Sequence, residues 1–465
     1  MTTHSKLVPI IVALPLFLQN IDLTATTVAL PAMAQALGSS PLHLNLVIAV
    51  YAISLAVFLP LSAWLADRFG PKRIFCFAII LFASASASCA IAQSSTFLIA
   101  SRVFQGFGAA MMVPVGRLIL LRSVPPSELM RAMVWFTIPS AVGRLTGPLI
   151  GGSIVTLGSW RWIFFVNIPL GAIALLLAAT KIDADPLAAK PPRFDFCGFA
   201  LLGVGLGATL GGLEALGRDL GGAGGNATLI LVVGVALLAL YAVTGLKRAD
   251  PVIDLSILRY RTFRTNVVGA APLRLANFAV PFLLPLMLQL GFGWSALDAG
   301  MVASGSALGA LGTRLFMRRA MTRMSFRSLF LLATLGTSLI FALYGLLSPQ
   351  TPVGLVLGLV FLGGLSSSLC MVALNTLGYV DIPVERRSHA TALATMTQQA
   401  MSATGVVLAA GILGIVTYWR SGNGAAVAAA DFTPTFFAVA LLAAVSLWPF
   451  SRIGPDEGRE LRDPS

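Results

Sequence analysis

Charge is scarce in this chain, and acid is scarcer still. Only 11% of its 465 residues are Asp, Glu, Lys or Arg, against about 25% in soluble domains. A water-facing globular surface of this length is therefore excluded. Carboxylates are outnumbered by basic residues, 18 to 31. There are four cysteines, Cys76, Cys89, Cys197 and Cys370, scattered in or beside apolar runs without Cys-x-x-Cys spacing. That pattern supports neither a metal site nor a disulfide framework. No Gly-x-x-x-x-Gly-Lys loop is present, so ATP is not the implied energy source. No metal and no organic cofactor is implied. Hydrophilic stretches are also short, which leaves no room for a soluble signalling domain.

What fills the chain is apolar sequence, 57% of it, with a mean hydropathy of +0.89. Fourteen runs reach hydrocarbon length: 7–31, 42–66, 74–93, 97–121, 132–156, 162–180, 196–216, 227–246, 265–290, 297–317, 328–347, 352–374, 389–416 and 432–450. Such runs read as transmembrane helices, and the expected fold class is an all-α integral membrane protein. Residues 1–6 before the first run resemble a signal peptide, but Asp22 inside the run and the spans after it argue for a retained helix.

The connections alternate in charge. One set carries Arg68, Lys72 and Arg73, then Arg122 and Arg131, Lys181, Lys190 and Arg193, and the cluster Lys247 to Arg264. It continues through Arg314, Arg318, Arg319, Arg323 and Arg327 to Arg386, Arg387 and the tail's Arg452, Arg459 and Arg462. The opposite set has only Arg161, Arg218 and Arg420. Positive charge marks the cytoplasmic side, so both termini are expected there. The basic surplus is then an orientation signal and not a nucleic-acid footprint. The longest hydrophilic connections flank the seventh and eighth runs. The chain therefore divides into a six-helix bundle (1–180), a linker with two inserted helices (181–250), a second six-helix bundle (251–451) and a tail (452–465). Two bundles of equal size suggest an internal repeat about an axis along the membrane normal.

The most informative stretch is Ser101–Arg122, SRVFQGFGAAMMVPVGRLILLR. A charge at the bilayer centre costs about 2.5–3.5 kcal/mol on insertion scales and is tolerated where it faces a bundle interior or wet cavity. Arg102, Gly106, Ala109 and Val113 recur at helical spacing, giving one helix a close-packing stripe with a cation on it. For Arg117 two readings stand, a cavity cation or a side chain reaching to the interface. In the first run Pro15, Gln19, Asp22 and Thr26 form a polar stripe around the one acid placed well inside a span. Burial raises a carboxylate's pKa and a nearby cation lowers it, so Asp22 could be tuned to exchange a proton near neutrality. The competing reading is a permanent structural pair with Arg102.

These residues sit in patterns that resemble the major facilitator superfamily, in its fourteen-span drug:proton antiporter branch of the EmrB and QacA type. The resemblance spans the whole chain and is densest over residues 20–170. It lies in Asp22-Leu-Thr24-Ala-Thr-Thr27-Val-Ala-Leu-Pro31, where Thr27 replaces the family's usual Asn, and in Arg102-Val-Phe-Gln105-Gly106. It lies also in the loop Ala63-Trp-Leu-Ala-Asp67-Arg68-Phe-Gly70-Pro-Lys72-Arg73, where Ala63 replaces the usual Gly. A fourth pattern is the fifth-span motif Gly143, Gly147, Pro148, Gly151 and Gly152, with Arg144 where a neutral residue is usual. The last is Trp160-Arg161-Trp162-Ile-Phe164 with Asn167-Ile-Pro169. The resemblance implies a proton-coupled exporter in the bacterial inner membrane, not an enzyme, working by alternating access. Asp22 and Arg102 would couple protons, and Asp67, Arg68, Gly70, Lys72 and Arg73 would form a gating loop. The fifth-span motif would mark an antiporter. Its partners would be a small-molecule substrate, protons and the bilayer, with no nucleic acid and no obligatory protein partner. A channel satisfies the same hydropathy but would conduct without countertransport.

The substrate cavity is expected to draw on Gln19, Thr26, Arg117, Arg144, Arg274, Asn277 and Gln398. Arg144 and Arg274 lie near the middle of their runs, where transporters bind substrate. Two guanidinium forks from opposite bundles could clamp an anionic metabolite or a metal–carboxylate chelate, an alternative to the drug reading. Arg144 could instead pair with Asp22 in place of Arg102. Asp298 and Glu214 are expected to be solvated.

Overall fold

A computed structural model describes residues 3–125, 128–183, 194–218, 225–248, 251–383, 386–422 and 426–454. Lys190, Arg193, Arg459 and Arg462 of the charge pattern lie outside the described residues. Described residues are overwhelmingly helical, as a hydrocarbon solvent requires, since a helix satisfies its own backbone polar groups. Six long helices form the first bundle: α1 (Thr3–Ala36), α2 (Leu46–Phe69), α3 (Pro71–Ala90), α4 (Ser95–Ser123), α5 (Leu129–Leu157) and α6 (Asn167–Lys181). An inserted pair follows, α7 (Phe196–Arg218) and α8 (Gly225–Gly245). The second bundle comprises α9 (Ala271–Leu286), α10 (Ala296–Arg323), α11 (Phe326–Tyr344), α12 (Val353–Leu377), α13 (Arg387–Ser421) and α14 (Ala429–Val445).

Twelve helical segments among the described residues are long and apolar enough to cross a membrane. Of the fourteen expected spans, the two outside that count are 132–156 and 297–317. Both runs are helical throughout, as α5 and α10. They fall short in composition, because Gly, Ser and Thr line them and each carries a mid-helix arginine, Arg144 or Arg314. The two short-fallers are partners, for α5 and α10 pack on each other across the bundles. Their small and polar residues fit the close approach of the two helices.

The packing repeats from bundle to bundle. In the first, helix one meets five and six, two meets four, and three meets four and six. In the second, α9 meets α13 and α14, α10 meets α12, and α11 meets α12 and α14. Between bundles, α5 packs on α10 and α2 on α13. The fifth helix of each bundle thus meets the second of the other, as a two-fold axis between repeats demands. The seams are built on small residues that let backbones approach closely. Ala49 and Ala52 meet Ala403 and Val407, and Leu210 of the inserted α7 packs into the same seam. The partner α8 lies outermost, exposing Val232, Val235, Leu240 and Val243 as a lipid-facing helix should. Glu214 of α7 is buried rather than solvated, because His43, in the connection after α1, lies 3.2 Å away. Asp298 is exposed as expected, bonded to Ser295 at the start of α10.

Candidate functional site

The deepest polar cluster lies inside the first bundle, where α1, α2, α3, α4 and α6 converge. Asp22 and Arg102 are both 0% exposed. Arg102 donates from Nη1 to Asp22 Oδ2 at 2.5 Å and from Nε to the Val47 carbonyl at 3.0 Å. The other carboxylate oxygen accepts from Gln105 Nε2 and from Asn167 Nδ2, each at 2.9 Å. Gln105 Oε1 in turn accepts from Arg102 at 2.7 Å. Ser86 accepts from Asn167 at 3.0 Å and ties the cluster to the Phe164 carbonyl. The Tyr51 ring lies 4.2 Å from the guanidinium carbon, a cation–π contact that covers the remaining face.

A buried pair is tolerable when its remaining hydrogen-bonding sites are largely met, and here neutral amides meet those of the carboxylate, while Arg102 Nη2 is buried without a hydrogen-bond partner. Arg102 is therefore the cation paired with Asp22, and the alternative pairing of Arg144 with Asp22 is ruled out. Gln105 and Asn167 stood in recognised motifs but were not expected as carboxylate partners. The available signal was spacing, since Gln105 lies three residues after Arg102 on the same face. Thr26 is a correction. It is fully buried and its hydroxyl donates to the Asp22 carbonyl at 2.6 Å, so it lines no cavity. A helix-interior Thr finds its partner one turn back and gives up its place on a polar face.

The fifth-span glycines are contact surfaces on two sides. A Cβ on Gly143 would lie 2.9 Å from the Phe17 carbonyl, and one on Gly151 would lie 2.7 Å from Ala25 Cα. Gly147 faces Thr24 and Ile21 in the same way, so α1 and α5 pack almost backbone to backbone. Gly152 and Pro148 turn to the other bundle, against Ala296 and Gly300 of α10. Thr156 accepts from the Leu297 N–H at 3.2 Å, and Gln289 donates to the Val28 carbonyl at 2.9 Å. These bundle-to-bundle contacts gather toward the end of the molecule opposite the chain termini.

In the loop between α2 and α3, Gly70 adopts φ +90°, ending α2 and starting α3 in a turn that a side chain would strain. Asp67 lies 3.7 Å from Arg122 at the end of α4, a contact within one bundle. Arg68 stacks over Trp64 at 5.4 Å, Lys72 is half-buried, and Arg73 is exposed.

The cavity candidates separate. Arg117, Arg144 and Gln398 are exposed, while Gln19 and Asn277 are half-buried. Asn277 accepts from Ser367 at 2.8 Å. Arg274 is 5% exposed and turned into its own bundle, where it donates to Asn266 at 2.5 Å and to Asn375 at 3.5 Å. The expected clamp of Arg144 with Arg274 is thus not formed. A buried carboxylate went unnoticed in the sequence, Asp431, held by Arg420 at 2.5 Å and by Thr417 at 3.1 Å. It stood just outside the apolar run 432–450, and it also caps α14 through Ala428 N–H. Among the described residues no group of three or more His, Cys, Asp or Glu could hold a metal.

Two repeat-related helical bundles, spanning a bilayer and meeting at one end, define a multi-pass membrane transporter. The chain belongs to the major facilitator superfamily, whose family model matches residues 12–406. It is 36% identical over 457 residues to a Klebsiella pneumoniae protein named "Putative multidrug resistance protein MdtD", covering 96% of this chain and 94% of that one. The Escherichia coli protein of the same name is 35% identical over 449 residues, with the same coverage. Among solved structures, a peptide transporter POT in complex with sulfate superposes with a TM-score of 0.72 at 15% identity, covering 98% of this chain and 95% of that one. A bacterial homologue of the human lysosomal transporter Spinster, inward-facing and unoccupied, gives 0.65 at 15% identity, covering 97% of each. At such identities the structures speak for the fold alone.

Proposed function

We propose that this chain is a proton-coupled antiporter that exports small molecules across a bacterial inner membrane, with both termini in the cytoplasm. The observation that carries the proposal is the completely buried Asp22–Arg102 pair. With the carboxylate ionised, it holds together α1, α4 and α6 through Arg102, Gln105 and Asn167. Protonation of Asp22 would remove the charge that Arg102 neutralises and turn one acceptor oxygen into a donor. Those three partners would then lose their common anchor. α1 would transmit the change, since it packs on α5 through the glycine face and touches the second bundle at Val28. α5 meets α10 and Val28 meets Gln289 where the bundles touch, so a shift there biases one closure over the other. A ligand that binds one arrangement more tightly does the same, and the two events become linked. The names of the relatives support drug-like cargo.

The deciding assay uses purified protein in liposomes loaded with a cargo molecule, itself identified by comparing molecules released by cells with and without the gene. Cargo efflux should acidify the lumen, and Asp22→Asn should abolish this while the protein still folds, because an amide fills the volume without titrating. Persisting acidification in that variant would assign the proton to another group. Topology has a separate check. Reporters fused after residues 220 and 255 should lie on opposite sides of the membrane, and finding both on one side overturns the orientation.

A further inference from the structure

The α5–α10 seam carries a pair of charges that the buried cluster does not use. On α5 the residues that meet α10 are Pro148 and Gly152, and Arg144 precedes them by one more turn on the same ridge. On α10 the matching face holds Ala296 and Gly300. At 100° per residue Arg314 returns to within about 40° of Gly300, so it projects from that same face. Both arginines are exposed. The helices run antiparallel, with Pro148 against Gly300. At 1.5 Å per residue, Arg144 lies about 6 Å from that crossing and Arg314 about 21 Å from it, on the same side. Side chains lean toward the N-terminus of their own helix. Arg144 therefore leans away from the crossing and Arg314 leans back toward it, which closes much of the gap of about 15 Å between their backbones. The two cations are near enough to oppose each other's charge.

Nothing on either helix neutralises them. α5 carries no Asp or Glu, and the one acid of α10, Asp298, is at its far end and bonded to Ser295. Two like charges held together across a seam, without a carboxylate, raise the local concentration of anions. We propose that Arg144 and Arg314 form a binding site for small organic dianions, one fork from each bundle. The site deepens the transporter reading by giving its substrate class, and it rests on that reading. A dianion between the forks would also favour their approach, drawing together the two helices on that side of the crossing. The partner of Arg144 is Arg314, not Arg274, which is spent on Asn266 and Asn375.

The test is equilibrium binding to the full-length protein in nanodiscs with no gradient, read by fluorescence polarisation. Fluorescein, a dianion at mildly alkaline pH, is the probe, and rhodamine 6G, a ring system of similar size carrying positive charge, is the comparison. Empty nanodiscs give the background. Arg144→Gln and Arg314→Gln should each weaken fluorescein binding about ten-fold, the usual scale for one charge-assisted hydrogen-bonding fork. Arg144→Lys should recover part of the loss, and rhodamine 6G should bind no more weakly to any variant. With no gradient applied, the assay reads binding to the wild type and the Arg variants without proton transfer, so failure of proton coupling and failure of this site are read apart. Fluorescein binding unchanged in both Gln variants, or a matching loss of rhodamine 6G, overturns the proposal. So does absence of fluorescein binding to the wild type.

Discussion

At the contact between first and fourth helices, the two bundles bury different chemistry within the same packing plan. In the first bundle, α1 and α4 meet through the Asp22–Arg102 ion pair, supported by Gln105 and Asn167. In the second, α9 and α12 meet through Asn277 and Ser367, and through Arg274 with the amide oxygen of Asn375. The second bundle therefore offers no carboxylate at that contact. A network without a carboxylate is indifferent to pH in the physiological range, whereas a buried carboxylate held by a cation is a charge balance that one proton can upset. Duplication conserves backbone packing because helices need ridges and small residues at fixed places. The chemistry at the centre of each bundle is free to diverge. At this contact proton sensing is then expected from the first bundle alone; the buried carboxylate of the second, Asp431, lies elsewhere, on α14 beside Arg420.

The sharpest way to break this comparison is to strand one charge of the pair. Arg102→Ala leaves the Asp22 carboxylate buried without its cation, a change that costs about 3–5 kcal/mol. Thermal unfolding in detergent should show a large loss for Arg102→Ala, and adding Asp22→Asn should restore much of it. A double variant no more stable than the single one would mean that the pair does not act as a unit. Arg274→Ala, by contrast, strands only amide oxygens and should lose clearly less stability than Arg102→Ala in the same assay.

A middle-sized effect is expected at the glycine faces. A methyl group on Gly151 would press on the backbone of Ala25, and one on Gly405 would press on the Leu275 carbonyl at 2.6 Å. These are the same first-to-fifth helix contact in the two bundles. Overpacking of this kind costs about 1–3 kcal/mol, so Gly151→Ala and Gly405→Ala should lose similar stability. If the bundles differ in role, Gly151→Ala should slow proton-linked exchange more, since α1 carries Asp22. Equal slowing would count against a division of labour.

How much of this was legible in the residues depends on what each inference needed. The spans were legible because hydrocarbon length is a one-dimensional signal, and Asp22 and Arg102 stood out because a buried charge is costly wherever it lies. Direction was harder to read. Arg274 and Arg144 both sit mid-helix, yet one turns into its bundle and the other is exposed, and that depends on neighbours far away in sequence. Thr26 misled because its polarity was already satisfied one turn back. α5 and α10 fell below span-like apolarity because a seam between bundles selects for small and polar residues. Asp431 escaped because the edge of an apolar run does not reveal whether a side chain there turns inward.

The smallest effect is expected where the second bundle matches the first in position but not in charge. Asn277→Leu removes the acceptor of the Ser367 hydroxyl, a neutral bond of about 0.5–1.5 kcal/mol. It also removes the Asn277 amide nitrogen, which is buried without a partner of its own. Losing an unmet donor repays part of the lost bond, so the net change in stability should stay below about 1 kcal/mol. Exchange rates should stay within about two-fold of wild type, the scale of a few tenths of a kcal/mol. The pH profile should not move at all, because no charge is gained or lost and Asp22 belongs to the other bundle. Measuring exchange against lumenal pH in Asn277→Leu liposomes therefore probes the comparison at its weakest point. A shifted pH midpoint would show that the second bundle tunes the proton site, and the two contacts could no longer be read as one that senses protons and one that does not.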